Sequence, residues 1–151
     1  MAGLEIRLRA GNPRRTPPEE LEGLAEALRR EISDSQVTIV EVEPSTGYGV
    51  TAWEVLNIFV PWSDLPKDAF MAALGIIGKE AVVWARRKLA RSPSPGQPKY
   101  IPIYGPDNEI LRAIRVDGTG EEIDMTNEKR EEAAMLKELA EQRLHPPDRK
   151  S

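Results

Sequence analysis

The sequence predicts an α+β fold: a two-layer sandwich in which helices pack on a mixed four-stranded sheet, in the order β-α-β-α-α-β-β plus a C-terminal helix. Three observations carry this. Leu4, Ile6 and Leu8 alternate with Glu5, Arg7 and Arg9, the period of a strand with one buried face. Leu21, Leu24, Ala25, Leu28 and Ile32, and later Phe70, Leu74, Ile77, Ala81 and Trp84, recur at helical spacing. Tyr100–Tyr104 and Ile110–Val116 flank Gly105-Pro-Asp-Asn108, a hairpin signal between two β-prone runs.

Each element has a local reason. After the breakers Gly11, Asn12 and Pro13, Thr16-Pro-Pro-Glu19 reads as a capping box opening a helix over about 17–32, with Arg29 and Arg30 placed favourably for its dipole. Val37–Val42 is apolar on both faces at its centre, as an interior strand requires, so residues 4–43 form a β-α-β unit whose strands run parallel. Thr51 and Glu54 repeat the capping-box pattern, with Val50 and Val55 at the offset of a hydrophobic staple. They predict a helix over 51–60, ended by Pro61. The third helix runs from near Pro66 to about Leu89. Ala72, Ala73, Ile76, Val82 and Val83 make it apolar well beyond one stripe, so the rest of the domain or a second copy must cover it.

Ser92-Pro-Ser-Pro-Gly-Gln-Pro98 is a flexible or polyproline-like connection, placed within a single domain over 1–125. Pro102 cannot donate to a ladder, which predicts that Tyr100–Tyr104 lies at a sheet edge or has its amide side open. Asp117-Gly-Thr-Gly120 is a further turn before a short strand at 121–124. Thr126 caps an appended acidic helix to about Leu144, with Met135, Leu136, Leu139 and Ala140 among many charges, and the chain ends in a frayed tail over 145–151.

Charge and composition exclude several classes of function. Lys+Arg total 21 against Asp+Glu 25, and the whole excess lies late: residues 1–116 hold fifteen acids and fifteen bases, residues 117–151 ten acids and six bases. A protein that binds duplex by neutralising phosphates needs a basic body, so no nucleic acid is expected. Zero cysteines remove disulfides, thiolate metal sites and cysteine nucleophiles, which fits a reducing cytoplasm. Met1–Ala10 alternates charged and aliphatic residues, unlike a signal or transit peptide. The longest uncharged run of the third helix, Ala69–Gly78, is far short of the roughly 20 residues a membrane span needs.

Catalytic constellations are equally scarce. The single histidine, His145, stands in the tail before two prolines, and there is no Gly-x-Ser-x-Gly. His-x-x-x-His and Glu-x-x-His are absent, and Asp117–Asp124 lacks the ligand order of a calcium loop, so neither a metal nor a cofactor is expected. Gly47-Tyr-Gly49 before a helix start, together with Lys79 and Glu80, supplies the alternative of a small enzyme or anion-binding domain working without His or Cys.

The most unusual feature is aromatic. Trp53, Phe59, Trp62, Phe70 and Trp84, five of eight aromatics, fall within 32 residues and are followed by Arg86, Arg87, Lys88 and Arg91, with no acid between Glu80 and Asp107. Aromatics beside cations suit an acidic protein partner or a membrane surface, and they nominate Trp53, Phe59, Trp62, Trp84, Arg86 and Arg87 as partner-binding residues.

The stretches Leu4–Arg9, Glu19–Val42, Ala81-Val-Val-Trp-Ala-Arg-Arg-Lys-Leu-Ala-Arg91 and Tyr104-Gly-Pro-Asp-Asn-Glu-Ile-Leu-Arg-Ala-Ile-Arg-Val116, somewhat over a third of the chain, resemble the effector-associated constant component family of bacterial conflict and signalling systems. The resemblance implies a compact non-enzymatic α/β module accompanying effector proteins, and it supplies no catalytic residue. The expectation is therefore a bacterial, intracellular adaptor without catalysis.

Overall fold

The computed structural model describes residues 3–11, 16–40, 54–91 and 98–144. Among these residues six strands form one mixed sheet: β1 (Leu4–Ala10), β2 (Ser35–Ile39), β3 (Glu54–Ser63), β4 (Lys99–Tyr104), β5 (Ile110–Val116) and β6 (Glu122–Asp124). Three helices accompany it among the described residues: α1 (Pro18–Glu31), α2 (Lys67–Arg91) and α3 (Thr126–Leu144). The sheet order is β2-β1-β3-β4-β5-β6. The β-α-β unit forms with its strands parallel, β1 and β2 pairing from Leu4↔Ser35 to Leu8↔Ile39, but β2 starts two residues before Val37 and stands at the end of the described strand order, not in its interior.

The overall α+β class holds, but the sheet has six strands rather than four, and one added strand replaces a predicted helix. Glu54–Ser63 is β3, antiparallel to β1 and parallel to β4. Leu56, Ile58 and Val60 are buried while Val55, Asn57, Phe59 and Pro61 are only partly so, the two-residue alternation of a strand. A run rich in Trp, Val, Ile and Phe favours the pleated surface. Thr51, of the supposed capping box, lies outside the described residues.

Pro61 does not terminate this element. Between Glu5↔Trp62 and Arg7↔Phe59, two steps on β1 are matched by three on β3, so a bulge falls at Val60–Pro61, where a missing amide is tolerated. Of the two places open to Pro102 the edge is ruled out, since β4 is an interior strand with Pro102 buried opposite Ala113 of β5; Ala113 gives its N–H to Thr126 and its carbonyl to Met125, so the pair asks no amide of Pro102.

One face of the sheet holds the core. Leu4, Ile6, Leu8, Leu56, Ile58, Val60, Ile101, Ile103, Ile114 and Val116 all point to it, together with Leu21, Leu24 and Leu28 of α1 and Leu74, Ile77, Ala81 and Ala85 of α2. α2 packs against α1 and against β5. The extra apolar width of this helix is therefore used within the chain. Gly78 allows the approach, since a Cβ there would lie 2.7 Å from the Arg112 guanidinium and 3.3 Å from Ile114 Cδ1. Trp84 Nε1 donates to the Glu20 carbonyl (3.1 Å), clasping α2 to α1.

Two start signals act otherwise than their patterns imply. Thr16 makes no cap for α1, whose N-cap is Pro17. Thr16 is buried and its hydroxyl accepts a hydrogen bond from Lys88, which also pairs with Glu20 at 2.9 Å. At α3, Thr126 is already helical and the Asp124 carboxylate accepts its N–H (2.9 Å) and its hydroxyl, while the hydroxyl oxygen accepts the Ala113 N–H (3.1 Å). Those hydrogen bonds hold the Asp124 carboxyl below its usual range. α3 packs on β5 from the side opposite α1 and α2, so the arrangement is not a plain two-layer sandwich: Arg130 donates to the Ile110 carbonyl (2.8 Å), and Lys129 lies 5.2 Å from the Tyr100 ring centre. No described helix is long and apolar enough to cross a membrane.

Candidate functional site

Strand alternation that buries one face leaves the other for recognition. Glu5, Arg7 and Arg9 are the outward residues of β1, and the register sets them against β3: Glu5↔Trp62, Arg7↔Phe59, Arg9↔Asn57. Phe59 is in turn opposite Tyr104 of β4. A row Arg7–Phe59–Tyr104 thus crosses three strands on a face that neither α1 nor α2 covers. Phe59 and Tyr104 are stacked, ring centres 5.3 Å apart with planes at 19°. Trp62 stands beside this row with half its surface in solvent (50%). A second row, Val55–Tyr100–Arg115–Ile123, continues the face toward α3.

An open depression of about 260 Å3 lies on this face, lined by Arg7, Arg9, Phe59 and Pro61 and by Gly105, Pro106 and Asn108 of the β4–β5 turn. Arg7 is steadied by Glu5, whose Oε1 accepts Nε at 3.1 Å and lies 3.0 Å from Nη2. Arg9 is exposed. The turn is held by Glu109, whose carboxylate accepts the Asp107 N–H at 2.8 Å, and by Asn108 at φ 60°, a conformation Asn tolerates better than most residues. Burial, then Tyr104 and Glu132, push the Tyr100 hydroxyl up to about 12; burial likewise raises Tyr104. Both phenols stay neutral, so the charge around the Arg7–Phe59–Tyr104 row comes from Arg7, Arg9 and Glu5.

The six residues nominated from sequence do not form one surface. Phe59 and Trp62 lie together on the outer sheet face. Trp84 is partly buried on the other side of the sheet, its indole bonded to α1 and Lys88 placed 5.5 Å over its ring. Arg86 donates to the Gly120 carbonyl (2.8 Å), tying α2 to the β5–β6 turn, and Arg87 is exposed on the same helix. Trp53 lies outside the described residues. Arg7, Arg9 and Tyr104, which join Phe59 and Trp62, were not nominated. Their signal was the polar face of β1 and the alternation within Tyr100–Tyr104, but it has meaning only once β3 stands between those strands.

The alternative set is dispersed too. Lys79 is exposed and Glu80 partly exposed on α2, and Gly47 and Gly49 lie outside the described residues, as does His145. Asp117 closes its own turn, accepting from the Thr119 N–H and hydroxyl (2.9 and 2.6 Å) and the Glu121 N–H (3.0 Å). Its carboxyl is lowered accordingly, while Gly120 takes the positive φ of 86° that the turn needs. Among the described residues no group of three or more His, Cys, Asp or Glu could hold a metal ion. Guanidinium forks beside stacked rings are groups able to hold carboxylates and apolar side chains. In comparisons with known proteins, no family model, curated protein or solved structure matched the chain.

Proposed function

We propose that the protein is a non-catalytic interaction module whose contact surface is the outer sheet face built by Arg7, Arg9, Phe59, Trp62 and Tyr104. The row Arg7–Phe59–Tyr104, with Trp62 half exposed beside it, carries this reading. Trp, Tyr and Arg are the side chains that most often anchor protein interfaces: the rings bury a large area with few torsions to freeze, and Arg adds a planar fork of donors. The partner that fits is a protein segment presenting apolar side chains next to carboxylates: rings meet Phe59 and Trp62, and acids meet Arg7 and Arg9. The resemblance of Ala81–Arg91 and Tyr104–Val116 to effector-associated constant components supports the same class, an adaptor accompanying effector or signalling proteins.

The test is affinity capture from the native cell with wild type and with Phe59→Ala/Trp62→Ala, both shown to be folded by circular dichroism. A stoichiometric partner lost only from the double variant is expected. A partner that binds both chains equally overturns this surface.

A second reading rests on the depression between Arg7, Arg9 and the Gly105–Asn108 turn, which has the size and cations for a small organic anion. A thermal-shift panel of carboxylates and phosphates tests it: stabilisation abolished by Arg9→Ala would favour this reading over the adaptor.

A further inference from the structure

α3 is anchored at its beginning and bare thereafter. Thr126, Lys129 and Arg130 make its contacts with β4 and β5, whereas residues 131–143 are all exposed. Met135, Leu136 and Leu139 are 63%, 60% and 49% accessible, half of the large apolar side chains the described residues expose. Two of them are also turned away from the chain's own sheet. At 3.6 residues per turn Thr126, Arg130 and Lys137 share one side of the helix, and Met135 and Leu139 lie about 140° and 180° round the axis from Arg130. Leu136, close to the line of Lys129, is 60% accessible even so.

The charges along that apolar side are ordered. Glu128 and Glu132 precede the three apolar residues on the same side, Glu132 also holding Lys129 of its own helix at 3.2 Å, and Arg143 follows them. Such a stripe is complementary to itself reversed: about a twofold axis near residue 137, Met135 of one helix meets Leu139 of the other, Leu136 meets its counterpart near the axis, and Glu132 meets Arg143 at both ends. A parallel pairing would set Glu132 against Glu132. We infer that α3 is a self-association helix, pairing antiparallel with α3 of a second copy through Met135, Leu136 and Leu139 and closed by reciprocal Glu132–Arg143 ion pairs. The contact is isologous, so each interaction occurs twice. Six apolar side chains make a patch at the small end of specific interfaces, which sets a weak, concentration-dependent dimer. The outer sheet face stays free, so this inference stands apart from the proposed partner surface.

The experiment is sedimentation equilibrium of the full chain over a wide concentration range. The expected mass rises toward twice the 16.9 kDa of one chain, and Leu136→Glu/Leu139→Glu, exposed positions whose change spares the core, stays monomeric at every concentration. Glu132→Arg and Arg143→Glu should each raise the dimer Kd by roughly tenfold, and the double swap should restore it, because the two residues lie eleven positions apart and can meet only between copies. Since the chain has no cysteine, oxidised Leu136→Cys should form a disulfide dimer across the twofold. A wild type that remains monomeric, or a double swap without rescue, overturns the inference.

Discussion

The two faces of one sheet obey different rules although the same strands build both. On the inner face, aliphatic side chains from five of the strands meet α1 and α2 with almost no surface left in water. On the outer face the same strands carry Arg7, Arg9, Asn57, Phe59, Trp62, Tyr100 and Tyr104, and α3 covers only the β5 side. The inner face is held by area removed from water, the outer by specific groups whose worth depends on what meets them. Adjacent residues therefore differ in kind: Ile58 is fully buried, and Phe59, one step along β3, faces outward against Tyr104.

The largest effect that sharpens this contrast comes from the inner face. Ile58→Ala should cost about 2–5 kcal/mol in denaturant unfolding, the transfer loss plus an unfilled cavity. Phe59→Ala should cost clearly less, because the ring is only partly buried, yet it should lose partner capture. Equal destabilisation by the two would break the distinction between faces.

At the margin where α3 joins the outer face, Asp124→Ala should cost about 1 kcal/mol by removing the acceptor for the Thr126 N–H. Its carboxyl is depressed in the folded chain, so the stabilisation is present above the ordinary carboxylate range and is lost as pH falls through the depressed value. Asp124→Asn, measured by thermal unfolding, should flatten the acid side of the profile while changing neutral stability less than Ala does.

These contrasts also explain what was legible in the sequence. β1, α1, α2 and the β4–β5 hairpin each carry one clear period or turn, and each forms near its expected place. Val55–Val60 was misread because it is nearly all apolar: with inward Leu56, Ile58 and Val60 next to outward Val55 and Phe59, no period shows, and the Thr51–Glu54 spacing decided for helix. The site inherited that error. Phe59 and Trp62 stood out as aromatics, but Arg7 and Tyr104 become their neighbours only through pairings on either side of β3, contacts between residues some fifty and forty-five positions apart. Trp84 and Arg86 looked like part of one patch because they are near in sequence, yet α2 holds them on the opposite side of the sheet.

Tyr100 gives a smaller effect on the outer face itself. Its pKa is raised from about 10 to about 12, so the native state keeps a proton that the unfolded chain has released in that interval. The associated stability is complete below pH 10 and lost as pH rises toward 12. Tyr100→Phe should remove that part of the alkaline decline, read as the unfolding midpoint against pH with Tyr104 unchanged. A variant that declines as steeply as wild type would place the alkaline sensitivity elsewhere.

The smallest effect is expected at a polar exception on the inner side. Lys88 enters the α1–α2 seam, bonding Thr16 and Glu20 and lying over Trp84. Burial still lowers its pKa against the opposing pull of Glu20, so desolvation of the ammonium outweighs what its partner returns. Where that holds, an apolar side chain of similar length can replace the charge at little cost, because the stem already packs there and one desolvation penalty disappears. Lys88→Met should therefore change stability by no more than about 1 kcal/mol in either direction. Lys88→Ala, which also removes the packing stem over Trp84, should lose more. If Met proved as damaging as Ala, the seam would depend on its charge, and the inner side would not follow the apolar rule that separates it from the outer face.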